Sequence, residues 1–324
     1  MRLLCLLATF AAAIPALAAE ETTPHGSMII AVGAAGEPAY ADAFAHWADN
    51  WRKAGAAGGV QVESVDGTDS DALVHLRQLL DSESKETSAE LWLVLLGHGT
   101  FDGHEGKFNL PGNDLATSEL ATLLKPFHRP VIVICSFSAS GAFFKPLSAP
   151  GRVIITATKS GAENNFSRFG GYLSETIADP AADLDKDGQT SLLEAWLAAA
   201  QRTADFYKSE DRLATEHSLL DDNGDGFGTP PEWFQGVRVA KKPTDHHAPD
   251  GLRAHQIHLV ANATERALSP SSRAERDAVE KELGQLREVK DSIPEEMYFS
   301  QLEALFLRLA HVYQKTGAPE APAR

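Results

Sequence analysis

Leu91-Trp92-Leu93-Val94-Leu95-Leu96 runs into Gly97-His98-Gly99, and Val131-Ile132-Val133-Ile134-Cys135 runs into Ser136-Phe137-Ser138-Ala139-Ser140-Gly141. Neither apolar run alternates with polar residues, and each ends in a polar cluster. Short runs of this kind read as strands buried on both faces, as in a parallel sheet. Polar side chains just past the carboxyl ends of such strands stand where open α/β sheets hold their ligands and their chemistry. A His and a small hydroxyl residue are therefore expected at neighbouring strand ends on one edge of a sheet.

The flanking sequence repeats the alternation of strand and helix. Residues 28–33 read as a first strand, and 39–54 as a helix with Phe44, Trp47 and Trp51 at helical spacing. Residues 60–65 alternate like a second strand. Asp69-Ser70-Asp71 opens a helix with Leu73, Leu76, Leu79 and Leu80 on one face. A helix over 117–124, a strand Val153-Ile154-Ile155-Thr156-Ala157-Thr158 and a helix near 171–178 complete a mainly parallel, helix-covered sheet. Gly33-Ala34-Ala35-Gly36 lacks the spacing and the Lys of a phosphate loop and reads as a strand-to-helix turn, with Pro38 in the first helical turn.

A strand ending in His-Gly, then about forty residues later a strand ending in a small nucleophile, one residue and Ser-Gly, resembles the caspase-like cysteine peptidases. The legumain (asparaginyl endopeptidase, haemoglobinase) branch is the nearest match, and the third strand with its polar loop adds to it. The resemblance covers roughly residues 28–178. It implies a caspase-like α/β fold, with His98 as the base, Gly99 as an oxyanion donor and Ser138 at the nucleophile position. The family has Cys there. Cys135 lies three residues earlier, inside the apolar run, and is expected to be a buried strand residue. A free Cys titrates near ~8.5, whereas a Ser hydroxyl needs a strong base and a formed oxyanion site. The substitution therefore points to impaired catalysis.

Two Asp-rich stretches carry a second chemistry. Asp183-Leu184-Asp185-Lys186-Asp187-Gly188-Gln189-Thr190-Ser191-Leu192-Leu193-Glu194 fits the twelve-residue EF-hand loop. Asp183, Asp185, Asp187, the Gln189 carbonyl, Ser191 and Glu194 fall on the ligand positions, with Gly188 at the sharp turn. Asp221-Asp222-Asn223-Gly224-Asp225-Gly226-Phe227-Gly228-Thr229-Pro230-Pro231-Glu232 repeats the pattern. Its ligands would be Asp221, Asn223, Asp225, the Phe227 carbonyl, Thr229 and Glu232. Pro230-Pro231 argues against a full exit helix. Hard oxygen donors around a tight turn suit Ca²⁺, the expected cofactor.

The N-terminus reads as a signal peptide over residues 1–18. Arg2 is its charged region, 3–14 its apolar region and Ala16-Leu17-Ala18 its cleavage site. Removing it takes one Arg and no acid from a chain of formal charge −16. Such an acidic chain argues against nucleic acid or anionic membrane as partner. No transmembrane segment is expected after cleavage, and the location implied is secreted or periplasmic. Cys5 and Cys135 are the two cysteines, so the mature chain has no pair for an internal disulfide.

The expected organisation is a caspase/legumain-like α/β domain over 28–180, a calcium-binding EF-hand-like segment over 181–240, a polar linker over 241–251 and a C-terminal helical hairpin over 252–316. Ser272-x-x-Glu275 and Ser292-x-x-Glu295 match the capping box. His246-His247, His255 and His258 read as solvated, and His104 as a weaker second base. Three functions fit: a peptidase homologue that binds a peptide or protein partner, an active exported endopeptidase using His98 and Ser138, or a calcium-stabilised structural or adhesion module.

Overall fold

The computed structural model describes residues 26–241 and 248–314, so the expected leader and the C-terminal tail lie outside the described residues. In chain order the elements are β1 (Gly26–Val32), α1 (Pro38–Ala57), β2 (Gln61–Val65), α2 (Ala72–Ser82), β3 (Glu90–Leu96), β4 (Gly99–Phe101), β5 (Gly106–Phe108), β6 (Leu115–Ala116), α3 (Thr117–Leu124), β7 (Val131–Ser136), α4 (Gly141–Leu147) and β8 (Arg152–Thr156). There follow α5 (Phe169–Thr176), α6 (Leu192–Ser209), β9 (Leu219–Asp221), β10 (Phe234–Gln235), β11 (Arg238–Val239), α7 (Leu252–Gln256), α8 (Ala263–Arg266), α9 (Pro270–Glu288) and α10 (Glu295–Gln314).

Six strands form the central sheet in the order β2-β1-β3-β7-β8-β9. All pairs are parallel except β8 with β9. The two-residue period of a strand sorts the apolar runs cleanly. Trp92, Val94, Leu96, Ile132, Ile134 and Ile155 face Phe44, Trp47, Trp51, Phe169, Leu173 and Trp196, which come from α1, α5 and α6. Leu91, Leu93, Leu95, Val133 and Cys135 face Leu73, Leu76, Leu120, Leu124, Phe143 and Leu147, which come from α2, α3 and α4. Both sheet faces are covered, which is why neither decisive run alternates in polarity. This is the mixed α/β class expected: a mostly parallel sheet between helix layers.

The β3–β7 pairing sets Leu96 beside Ser136, so both polar clusters leave the sheet at one edge. Residues 99–116 form a small antiparallel sheet, β4-β5-β6, over that edge. Cys135 is fully buried, as expected.

Helices α9 and α10 pack on each other around Val279, Leu283, Leu286, Tyr298 and Leu305. Two capping expectations fail. Ser269, not Ser272, caps α9 by accepting from the Ser272 N–H at 3.1 Å, because Pro270 takes the first helical position. Ser292 lies in a 3-10 turn, and Ile293, held extended by the following Pro294, separates it from α10. Among the described residues no helix is long and apolar enough to cross a membrane.

Candidate functional site

His98 leaves β3 on the α1 side of the sheet. Its ring meets Tyr40 edge-on at 4.9 Å, Phe44 at 5.1 Å and Phe166 at 5.9 Å between centroids. Its Nε2 lies 3.2 Å from the Ala35 carbonyl. Burial among these rings lowers the imidazole pKa below its ordinary value, and the Ala35 contact opposes that only in part.

Ser138 is 3% exposed and bonds to Gly99 twice. Its Oγ accepts from the Gly99 N–H at 3.1 Å and donates to the Gly99 carbonyl at 3.1 Å. The structure thus brings Ser138 to Gly99, while the His98 ring nitrogen bonds to Ala35. The N–H expected to serve an oxyanion is occupied by the hydroxyl. Two glycines of the motif are required by packing alone. A Cβ at Gly99 would lie 2.4 Å from the Ser138 carbonyl oxygen, and one at Gly141 would lie 2.1 Å from the Ser160 nitrogen.

Ala139 follows Ser138 with φ of 59°, a left-handed conformation that costs a non-glycine residue about 1–2 kcal/mol. Its N–H donates to the Glu163 carbonyl at 2.7 Å. The Glu163 carboxylate meets His217 Nδ1 at 2.5 Å and accepts from the backbone N–H groups of His217 and Lys159 at 3.2 and 2.9 Å. A half-exposed imidazole oriented through Nδ1 by a carboxylate therefore stands by the turn that carries Ser138. Sequence reasoning missed it, because Glu163 and His217 are 54 residues apart and no local pattern links them. His104 sits in the β4–β5 turn, where its N–H donates to Asp102 at 2.9 Å.

The two Asp-rich loops share one hydrogen-bond frame. In the first, Asp183 accepts from the N–H groups of Lys186 and Gly188 (2.6 and 3.1 Å), Asp185 from Asp187 (3.2 Å) and Asp187 from Gln189 (3.0 Å). In the second, Asp221 accepts from Gly224 and Gly226 (2.7 and 3.2 Å), Asn223 from Asp225 (2.9 Å) and Asp225 from Phe227 (2.8 Å). The fourth and sixth residues of each loop are left-handed: Lys186 at 64°, Gly188 at 91°, Gly224 at 75° and Gly226 at 77°.

The loops differ in the carboxylate that closes them. Glu194, in the first turn of α6, is 1% exposed. Its Oε1 accepts from the Leu184 N–H at 2.8 Å, and its Oε2 accepts from the Ser191 hydroxyl at 2.8 Å and from the Ser191 N–H. In the second loop Glu232 is exposed, on a 3-10 turn over Pro231–Trp233. The corresponding bonds go to Asp250, which is 2% exposed. Asp250 Oδ1 accepts from the Asp222 N–H at 2.9 Å, and its Oδ2 accepts from the Thr229 hydroxyl at 2.7 Å. Pro231 holds the preceding Pro230 in extended backbone (ψ 155°), so the second loop lacks the helical first turn that would bring position twelve back. A residue from the far end of the 241–251 stretch takes its place.

Burial, with the Asp222 charge beside it, pushes Asp250 up to about 8. Asp187 is raised by burial and by Asp185. Asp185 is lowered by its hydrogen bond with His255, whose Nε2 is 3.0 Å away. Burial pulls His255 down, but Asp185, Glu194 and Glu280 outweigh it and leave the imidazole above its ordinary value. Neither His255 nor His258 is the solvated residue expected: both are only partly exposed, and His258 Nδ1 is buried without a hydrogen-bond partner among the described residues. The reason is that α7 packs back on α6. His246 and His247 lie outside the described residues. One carboxylate oxygen from each of Asp183, Asp185 and Asp187 lies within 4.8 Å of the others, a set that fits a hard divalent cation.

No protein-family model matches the chain, and no curated protein matches it in sequence. Among solved structures it is similar to the crystal structure of the Drosophila initiator caspase Dronc, at 12% identity and a TM-score of 0.39, over 64% of this chain and 82% of that one. The mostly parallel sheet between helix layers is consistent with a caspase-like fold.

Proposed function

We propose that this is an exported, calcium-binding homologue of the legumain/caspase-like peptidases, impaired in catalysis, that acts by binding a peptide or protein partner at the sheet edge. The observation that carries this reading is the engagement of Ser138. A hydroxyl locked to both backbone groups of Gly99 has no base drawing its proton, and serine needs one. The leader-like N-terminus supports export. The two loops support Ca²⁺, held by Asp183, Asp185, Asp187, the Gln189 carbonyl, Ser191 and Glu194 in the first. Asp221, Asn223, Asp225, the Phe227 carbonyl and Thr229 would hold it in the second, with Asp250 rather than Glu232 as the closing carboxylate. Bound Ca²⁺ would neutralise the converging carboxylates and fix the loops.

The test is labelling with a fluorophosphonate and with a peptidyl acyloxymethyl ketone, with and without Ca²⁺. Wild type is expected to stay unlabelled, and Ser138→Cys to gain reactivity with the ketone only if an imidazole turns from its present partner to the new thiol, since a thiolate needs such a pairing. Robust peptide hydrolysis by wild type, abolished in Ser138→Ala, would overturn the reading and establish a serine enzyme. One observation favours that second reading: His217, held by Glu163, offers an oriented imidazole. Loss of such hydrolysis in His217→Ala with retention in His98→Ala would assign the base to His217.

A further inference from the structure

The first loop has a nitrogen donor that the second lacks. His255 comes from α7, 70 residues beyond Asp185, and its Nε2 stands 3.0 Å from Asp185 Oδ2. One ligand atom each from Asp185, Glu194 and His255 lie within 4.8 Å of one another. Asp185 and Glu194 are the third and twelfth residues of the loop, Glu194 lying also in the first turn of α6, and His255 comes from the distant short helix α7. Glu194 is fixed through both oxygens to backbone and hydroxyl donors, so its position does not depend on a side-chain rotor finding it. Three residues past His255, the buried Nδ1 of His258 is also without a hydrogen-bond partner among the described residues.

Donor chemistry decides which ion suits such a set. Ca²⁺ and Mg²⁺ take oxygen donors almost throughout. An imidazole among carboxylates suits first-row transition dications, which bind nitrogen more strongly in the order running from Mn²⁺ to Cu²⁺. Two donors 3.0 Å apart are also spaced as adjacent ligands around an ion with bonds of about 2.1 Å.

We propose that Asp185, Glu194 and His255 form a mixed nitrogen–oxygen site at the first loop that takes a first-row transition dication in preference to Ca²⁺, leaving the second loop as the calcium site. This rests on reading the first loop as a cation site and changes which ion it selects. Binding there ties the chain that follows the linker to the loop that precedes α6.

Mn²⁺ is the probe. Metal-stripped full-length protein is loaded with one equivalent of Mn²⁺ in excess Ca²⁺ and examined by pulsed electron paramagnetic resonance. The expected result is ¹⁴N modulation from one imidazole, lost in His255→Gln together with at least a tenfold drop in Mn²⁺ affinity. Asp225→Asn, in the second loop, should leave both unchanged. Labelling wild type with ¹⁵N-histidine should convert the ¹⁴N pattern without any substitution, which covers the case of a variant that does not fold. Mn²⁺ bound without nitrogen coupling, or coupling that survives His255→Gln, would overturn the proposal while leaving the calcium reading intact. No binding of either ion would overturn both.

Discussion

Hydrogen bonds order the polar groups of both candidate regions, with opposite results. In the loops Asp183, Asp185, Asp187, Asp221 and Asp225 accept from backbone N–H groups, and in the first loop one oxygen each from Asp183, Asp185 and Asp187 lies within 4.8 Å of the others. At the sheet edge the ordering bonds commit His98 to Ala35 and Ser138 to Gly99. On the proposed reading, internal satisfaction would prepare one region for a ligand and quiet the other. The same physics, a polar side chain satisfied by neighbouring backbone groups, does both. What decides is whether the partners are themselves the scaffold of a cavity or the groups that should have met.

The sharpest way to break the comparison is at the closing carboxylates. Asp250→Asn is expected to lower Ca²⁺ affinity at the second loop by on the order of 100-fold, since affinity follows ligand charge and rigidity. Glu232→Gln should leave it nearly unchanged. Calorimetric titration of both variants reads this directly, and a reversed order would return the closing role to position twelve.

A smaller effect is expected on stability. At a free Ca²⁺ concentration a hundredfold above its dissociation constant, each occupied site adds about 2.7 kcal/mol. Scanning calorimetry should show a higher melting temperature with Ca²⁺ and its reversal by chelator. An unchanged transition would count against Ca²⁺ binding at either loop.

Glu194 should matter even without a cation, because it completes the capping box of α6 and satisfies the Leu184 and Asp185 N–H groups. In chelator, Glu194→Gln is expected to cost about 1–2 kcal/mol. Denaturant melts that overlay those of wild type would show that the frame stands without it.

The smallest effect concerns His98. Its pKa in the folded chain lies below the ordinary 6.5. A histidine with a depressed folded pKa gives a stability contribution that is present above its unfolded pKa and is lost as pH falls through the folded one. An NMR titration should place the His98 midpoint below 6.5. A midpoint above it would mean that an acidic partner, and with it a catalytic pairing, exists at the edge.

Much of the scaffold was legible because its signals are local. The apolar runs at 91–96 and 131–135 read as doubly buried strands without their partners being known. The Asp/Gly spacing of the loops fixed their turns, and Pro230-Pro231 already argued against an exit helix. What stayed hidden depends on chain segments meeting from afar. Asp250 reaches Asp222 across 28 residues, His217 reaches Glu163 across 54, and His255 reaches Asp185 across 70. No periodicity records such meetings. The misplaced cap of α9 is a subtler case: Ser269 and Ser272 are both good caps by composition, and Pro270 decides between them.

One junction links the loops to the sheet. Asp221 is both the last residue of β9 and the first residue of the second loop. The outermost strand, three residues long, is thus held at its end by the same side chain that would grip the ion. If that strand lets go, β8 becomes the sheet's border, with a row of free N–H and C=O groups that another chain can join. A chelated sample is therefore expected to scatter light before its helical circular dichroism declines. On this view a cation at the second loop acts as a guard against self-adhesion.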